Sequence, residues 1–170
     1  MTREEILQIS EVINGNLQFA LFVPAFERST KITVISEITN EVTERTVIPI
    51  NHILQLTNAN IEEIKRYLWD YCKLCLEVTS YGLRNCPEGK TNLEFNMEYF
   101  KIYNKDDVFA SVILDEIVIS EYTDQKKYKG NYAVIQFDSS WGDLIDIVMK
   151  DGKIVGGGQN GMWLGEFEQD

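Results

Sequence analysis

Four side chains in this 170-residue sequence are soft metal ligands: Cys72, Cys75, Cys86 and the single histidine, His52. Together they match in number what one Cys₃His zinc site needs. Their setting argues for something else. Zinc cysteine pairs sit on tight turns, and a redox C-x-x-C pair sits at a helix N-terminus, where the dipole lowers the thiol pKa. Cys72 and Cys75 instead fall on the apolar stripe of a long helical segment, where free cysteine packs as a small hydrophobe. Three cysteines is an odd count, which fits free thiols and no disulfide framework. A Ser-His-Asp or Cys-His mechanism would have to use His52, and no nucleophile motif such as G-x-S-x-G accompanies it.

Two further clusters bear on function. Gly156-Gly157-Gly158-Gln159-Asn160-Gly161 follows an expected strand, yet it lacks the Lys-Ser/Thr of a phosphate loop. A loop or bulge that turns Trp163 back onto the sheet is the expectation there. Asp138, Asp143 and Asp146 surround Trp141. Such carboxylates could hold a divalent cation, serve acid/base chemistry, or present charge to a partner. No EF-hand spacing occurs. No cofactor is expected.

The elements that position these residues read as α+β. Thr2 and Glu5 have capping-box spacing, and Ile6, Ile9 and Ile13 form a stripe, so a helix is expected over 3–14, stopped by Asn14-Gly15. Leu17 to Val23 reads as a strand buried on both faces, Lys31 to Ile38 as a half-buried strand, and Val42 to Ile48 as a third, after a turn at Thr39-Asn40-Glu41. Pro49 is expected to open a short helix to about Leu56. Asn60 then caps the longest helix, about 61–80, whose stripe is Ile61, Ile64, Leu68, Cys72, Cys75 and Thr79, with Gly82 as its stop. A loop over 83–92, a weak helix over 93–103 and a short helix to about Ile113 follow.

Strands are expected at Ile117 to Tyr122, Tyr132 to Trp141, Leu144 to Lys150 and Lys153 to Gly157, the last two joined by the Asp151-Gly152 hairpin signal. Alternation puts Tyr132, Val134, Gln136 and Asp138 on one face, and Ala133, Ile135, Phe137, Ser139 and Trp141 on the core face. It groups Asp143 with Ile145, Ile147 and Met149, and sends Leu144, Asp146, Val148 and Lys150 to the other side. The prediction is one α+β domain over 1–170, an antiparallel sheet of about six strands with the N-terminal and long middle helices packed on it.

Apolar residues make up 44% of the chain and charged residues 25%, close to the globular average. The net charge of -11 is uneven: residues 106–170 carry 5 basic and 13 acidic side chains, a net of -8. Clustered lysine and arginine are what phosphate binding requires, so nucleic acid and anionic membranes are disfavoured as partners and a basic protein is permitted, the alternative being that the acidity serves solubility alone. No apolar run is long enough to span a bilayer, and the Met-Thr-Arg-Glu-Glu start lacks a secretory layout, so a cytoplasmic location is expected.

Phe137-Asp138-Ser139-Ser140-Trp141, followed by the Lys150-Asp151-Gly152-Lys153 hairpin, resembles an uncharacterised family of small acidic bacterial α+β proteins. The resemblance covers about residues 60–158. In type these are similar to immunity proteins of toxin systems, which implies protein binding without catalysis. The expected function is therefore a non-catalytic module that masks a basic, toxin-like partner, with Asp138, Asp143, Asp146 and Trp141 as partner-binding residues. Trp141 is also the residue that alternation assigns to the core. The other readings are a metal-dependent hydrolase using the Asp cluster and a structural or regulatory subunit docked through Trp69 or Trp163.

Overall fold

The computed structural model describes residues 1–36, 41–79, 81, 86–121 and 128–168. Seven strands form one sheet in chain order: β1 (Glu11–Ile13), β2 (Asn16–Val23), β3 (Arg28–Ile35), β4 (Val112–Ser120), β5 (Tyr132–Ser139), β6 (Leu144–Lys150) and β7 (Lys153–Gln159). Five helices accompany it: α1 (Arg3–Ile9), α2 (Glu44–Leu54), α3 (Asn58–Val78), α4 (Asn92–Phe100) and α5 (Lys105–Ala110). The α+β class is as expected. The sheet is mixed, with seven strands where about six antiparallel ones were expected. β3 and β4 run parallel, because the helical middle of the chain carries the backbone from the end of one strand back to the start of its neighbour.

Local differences have identifiable causes. Helix α1 stops at Ile9, and Asn14-Gly15 is the turn of the β1–β2 hairpin. Both residues have positive φ, 51° and 82°, as a type I′ turn requires. Val42 to Ile48 is not a strand. Thr43 caps α2 by accepting from the Arg45 N–H at 3.1 Å, and the Glu121 carboxylate at the end of β4 accepts from the Thr43 N–H at 3.1 Å and from the Thr46 hydroxyl. That tertiary cap overrides the β propensity of the segment. Pro49 accordingly lies inside α2. Helix α3 starts from Thr57, with Asn60 completing its capping box. Thr39 and Asn40 of the expected turn and the stop at Gly82 lie outside the described residues.

The helices cover one face of the sheet. Ile61, Ile64, Leu68, Cys72, Cys75 and Leu76 of α3 are buried with Ile117, Ile135, Phe137, Ile145 and Ile147 in one core. Gly157 marks where α3 meets the sheet, since a Cβ there would stand 2.8 Å from that of Tyr67. No helix among the described residues is long and apolar enough to cross a membrane.

Candidate functional site: the outer face of the sheet

The face turned away from the helices is the part of the fold with surface to offer. Strand registers lay its side chains out in rows. One row runs Ala20–Lys31–Glu116–Gln136–Asp146–Gly158. It is a polar ladder. The Glu116 carboxylate accepts from Lys31 Nζ at 2.9 Å and from the Thr33 hydroxyl at 2.8 Å, and Gln136 Nε2 donates to Asp146 Oδ1 at 2.9 Å. The bond to Glu116 raises the Lys31 pKa above its ordinary value.

At one end of the same face stand exposed apolar side chains. Phe22 pairs with Ser29, Ile113 with Asp138, and Asp138 with Leu144. Phe22, Ile113 and Leu144 are 56%, 60% and 47% exposed. Asp138 is exposed between two of them, and Asp115, at the bulge in β4, is exposed nearby. The result is an apolar rim punctuated by carboxylates, of the kind that marks interaction surfaces more than scattered single hydrophobes do.

The four residues expected to bind a partner do not converge. Asp138 is exposed on this face. Asp146 is on the same face, as alternation predicts, yet it is only 3% exposed. The segment after β7 folds over it, and its carboxylate accepts from Gln136, from Asn160 Nδ2 at 3.2 Å and from the Gly161 N–H at 2.7 Å. A buried carboxylate with three donors is a structural tie. Asp143 turns to the helix side, where its Oδ2 accepts from the Tyr81 hydroxyl at 3.2 Å. Trp141 is 4% exposed, in the core where alternation places it.

Nor do the soft ligands come together. Cys72 and Cys75 are buried on α3. Burial pushes their thiols up to about 12 and about 11, with the Asp143 charge adding to both. Cys86 donates to the Lys90 carbonyl at 3.2 Å ahead of α4, while His52 packs against Gly152 at the β6–β7 turn. Among the described residues no group of three or more His, Cys, Asp or Glu side chains could hold a metal ion.

The glycine run is strand through Gln159, with a register shift in the β6–β7 pair just ahead of Gly156, and the chain leaves the strand only at Asn160-Gly161. Its glycines leave room for neighbours, Tyr67 over Gly157 and Phe167 over Gly156. It is Phe167 and Met162 that fold back on the sheet, and Trp163 is 60% exposed.

Sequence reasoning missed Phe22 and Ile113. Phe22 sits in a run apolar enough to read as buried on both faces, although only alternate residues of β2 are buried. The expected short helix ends at about Ile113, so strand alternation does not reach it. The Val112-Ile113-Leu114 triplet, β-branched at its first two positions, was the available signal.

Residues 10–162 match the family described as a domain of unknown function, DUF6985, and the chain belongs to that family. No curated protein and no solved structure matches it.

Proposed function

We propose that this member of the DUF6985 family is a non-catalytic protein-binding module that docks a basic protein on the apolar rim of its outer sheet face. The observation that carries this reading is the pair Ile113 and Leu144, exposed on either side of Asp138 at one end of the outer face, with Phe22 exposed at the same end. Burying a large apolar side chain fully is worth about 1.5–3 kcal/mol, and association costs on the order of 4–15 kcal/mol in lost freedom. Phe22, Ile113 and Leu144 are already about half buried, so these three anchors offset the cost only in part, and complementary charge supplies steering and register. The excess of acidic over basic residues in 106–170 favours a partner rich in lysine and arginine. The finer reading is an immunity-type role, in which the partner is a basic toxin such as a nuclease. It rests on that charge and on the resemblance of the Phe137-to-Trp141 and hairpin segments.

A metal-dependent hydrolase has less in its favour, because Asp146 is already committed to three donors and Asp143 faces Tyr81. The decisive experiment captures partners from the native cell on wild-type protein and on a folded Ile113→Ser/Leu144→Ser variant. A basic protein retained by the wild type in a salt-sensitive manner, and lost from the variant, is the expected result. Equal retention by both baits would reject the rim as the docking surface.

A further inference from the structure

Beyond Asp146, the chain crosses the outer face of β5–β7 as a strap ending in the 3-10 turn Leu164–Glu168. The strap has no buried residue of its own, whereas Gly130, Tyr132 and Val148 on the sheet side are buried. Its last two side chains occupy a shaped seat. The Phe167 ring lies over Gly156, where a Cβ would stand 2.5 Å from the ring. The Glu168 carboxylate accepts from the Tyr132 hydroxyl at 2.5 Å and from the N–H groups of Lys129 and Gly130 at 3.0 and 3.2 Å. Lys150 Nζ stands 3.6 Å from the same carboxylate and donates to the Phe167 carbonyl at 2.6 Å. Gly130 leaves the space that the Lys150 side chain occupies, since a Cβ would fall 2.7 Å from Lys150 Cε. Two successive backbone N–H groups aimed at an anion, joined by an ammonium and a phenol, make a concave oxyanion site. The missing side chain of Gly156 adds an aromatic slot beside it.

We propose that this seat is a binding site for a peptide segment carrying an aromatic residue followed by an acidic one, and that the chain's own Phe167-Glu168 fills it in cis as a displaceable occupant. The recognition elements belong to the sheet and the turn before β5, and the strap fills them with the Phe167 and Glu168 side chains and the Phe167 carbonyl, with Met162 alongside at Gly156. Tethered through Asn160 to Trp163, the strap competes at an effective concentration on the order of millimolar, so a rival segment must exceed that or be held nearby by a second contact. The seat lies at the Tyr132 end of β5 and the docking rim at the Asp138 end, so either site stands without the other.

The test uses the full chain. In a Phe167→Ala/Glu168→Ala variant, a fluorescent peptide with the sequence of residues 162–168 should bind saturably, about tenfold or more tighter than to wild type, because the internal competitor is gone. Adding Lys150→Met should abolish that binding, as should replacing Phe-Glu by Ala-Ala in the peptide. A folded double variant that does not bind, or that binds the Ala-Ala peptide equally, overturns the proposal. Should the variant fail to fold, wild-type protein decides. The nuclear Overhauser contact between the Phe167 ring and Gly156 must disappear when the peptide is added at several times the effective concentration of the strap, and its persistence overturns the proposal.

Discussion

Gln136 and Asp146 face each other across the β5–β6 pair, and the Gln136 amide donates to the Asp146 carboxylate at 2.9 Å. This contact completes the satisfaction of a buried carboxylate that also holds Asn160 and Gly161, and so fixes where the chain leaves β7. Asp146→Ala removes the acceptor and leaves the Gly161 N–H without its partner. Hydrogen bonds to a charged group are worth about 1.5–3 kcal/mol net, and the freed Gly161 N–H, in an exposed residue, is taken up by water. Urea unfolding should show a loss of about 2–4 kcal/mol. A loss below ~0.5 kcal/mol, the range of ordinary surface substitutions, would mean that Asp146 is not the tie described here.

Asp138 and Ile113, cross-strand partners on the rim, should affect partner binding in different ways. Asp138→Asn removes an exposed charge, so it should slow association and flatten its salt dependence while leaving dissociation nearly unchanged. Ile113→Ser removes apolar contact, so it should speed dissociation. Surface plasmon resonance with the captured basic partner separates the two rates. Identical kinetics in both variants and wild type would remove the rim from consideration.

Glu168 supplies a pH dependence with a definite sign. The Tyr132 hydroxyl first, then the Lys129 N–H, the Gly130 N–H and the Lys150 charge, hold its carboxyl at about 2, below the ordinary 4.5. A depressed folded-state pKa gives stability that is fully present above the unfolded value and is lost as pH falls through the folded one. The difference in melting temperature between wild type and Glu168→Gln should therefore be constant from neutral pH down to about 4.5 and vanish towards pH 2. A difference that does not change with pH would show that the carboxylate charge contributes nothing to the latch.

The thiols should divide by position. Cys72 and Cys75 are buried, and their raised pKa values leave almost no thiolate near neutral pH, whereas Cys86 is partly exposed. Under native conditions Ellman's reagent should titrate Cys86 rapidly and the other two only on unfolding. Rapid labelling of Cys72 in folded protein would contradict the packing of α3 on the sheet.

Much of the frame was legible in the chain. The stripe Ile61, Ile64, Leu68, Cys72 and Cys75 identified the buried side of α3, because helix periodicity follows from backbone geometry alone. The same holds for β5 and β6, where alternation separated Phe137 and Ile145 from Asp138 and Asp146. What alternation assigns is a face. Whether that face meets water depends on chain that lies elsewhere. Asp138 and Asp146 share the outer face, yet one is exposed and the other is sealed by the strap that starts at Asn160. The Thr43 cap on α2 depends on Glu121, and the β3–β4 pairing joins segments on either side of the helices. Local sequence fixes conformation and sidedness within an element, because those arise from neighbours a few residues apart. Only the tertiary structure decides coverage, because a residue's solvent exposure is set by whichever distant segment folds against it.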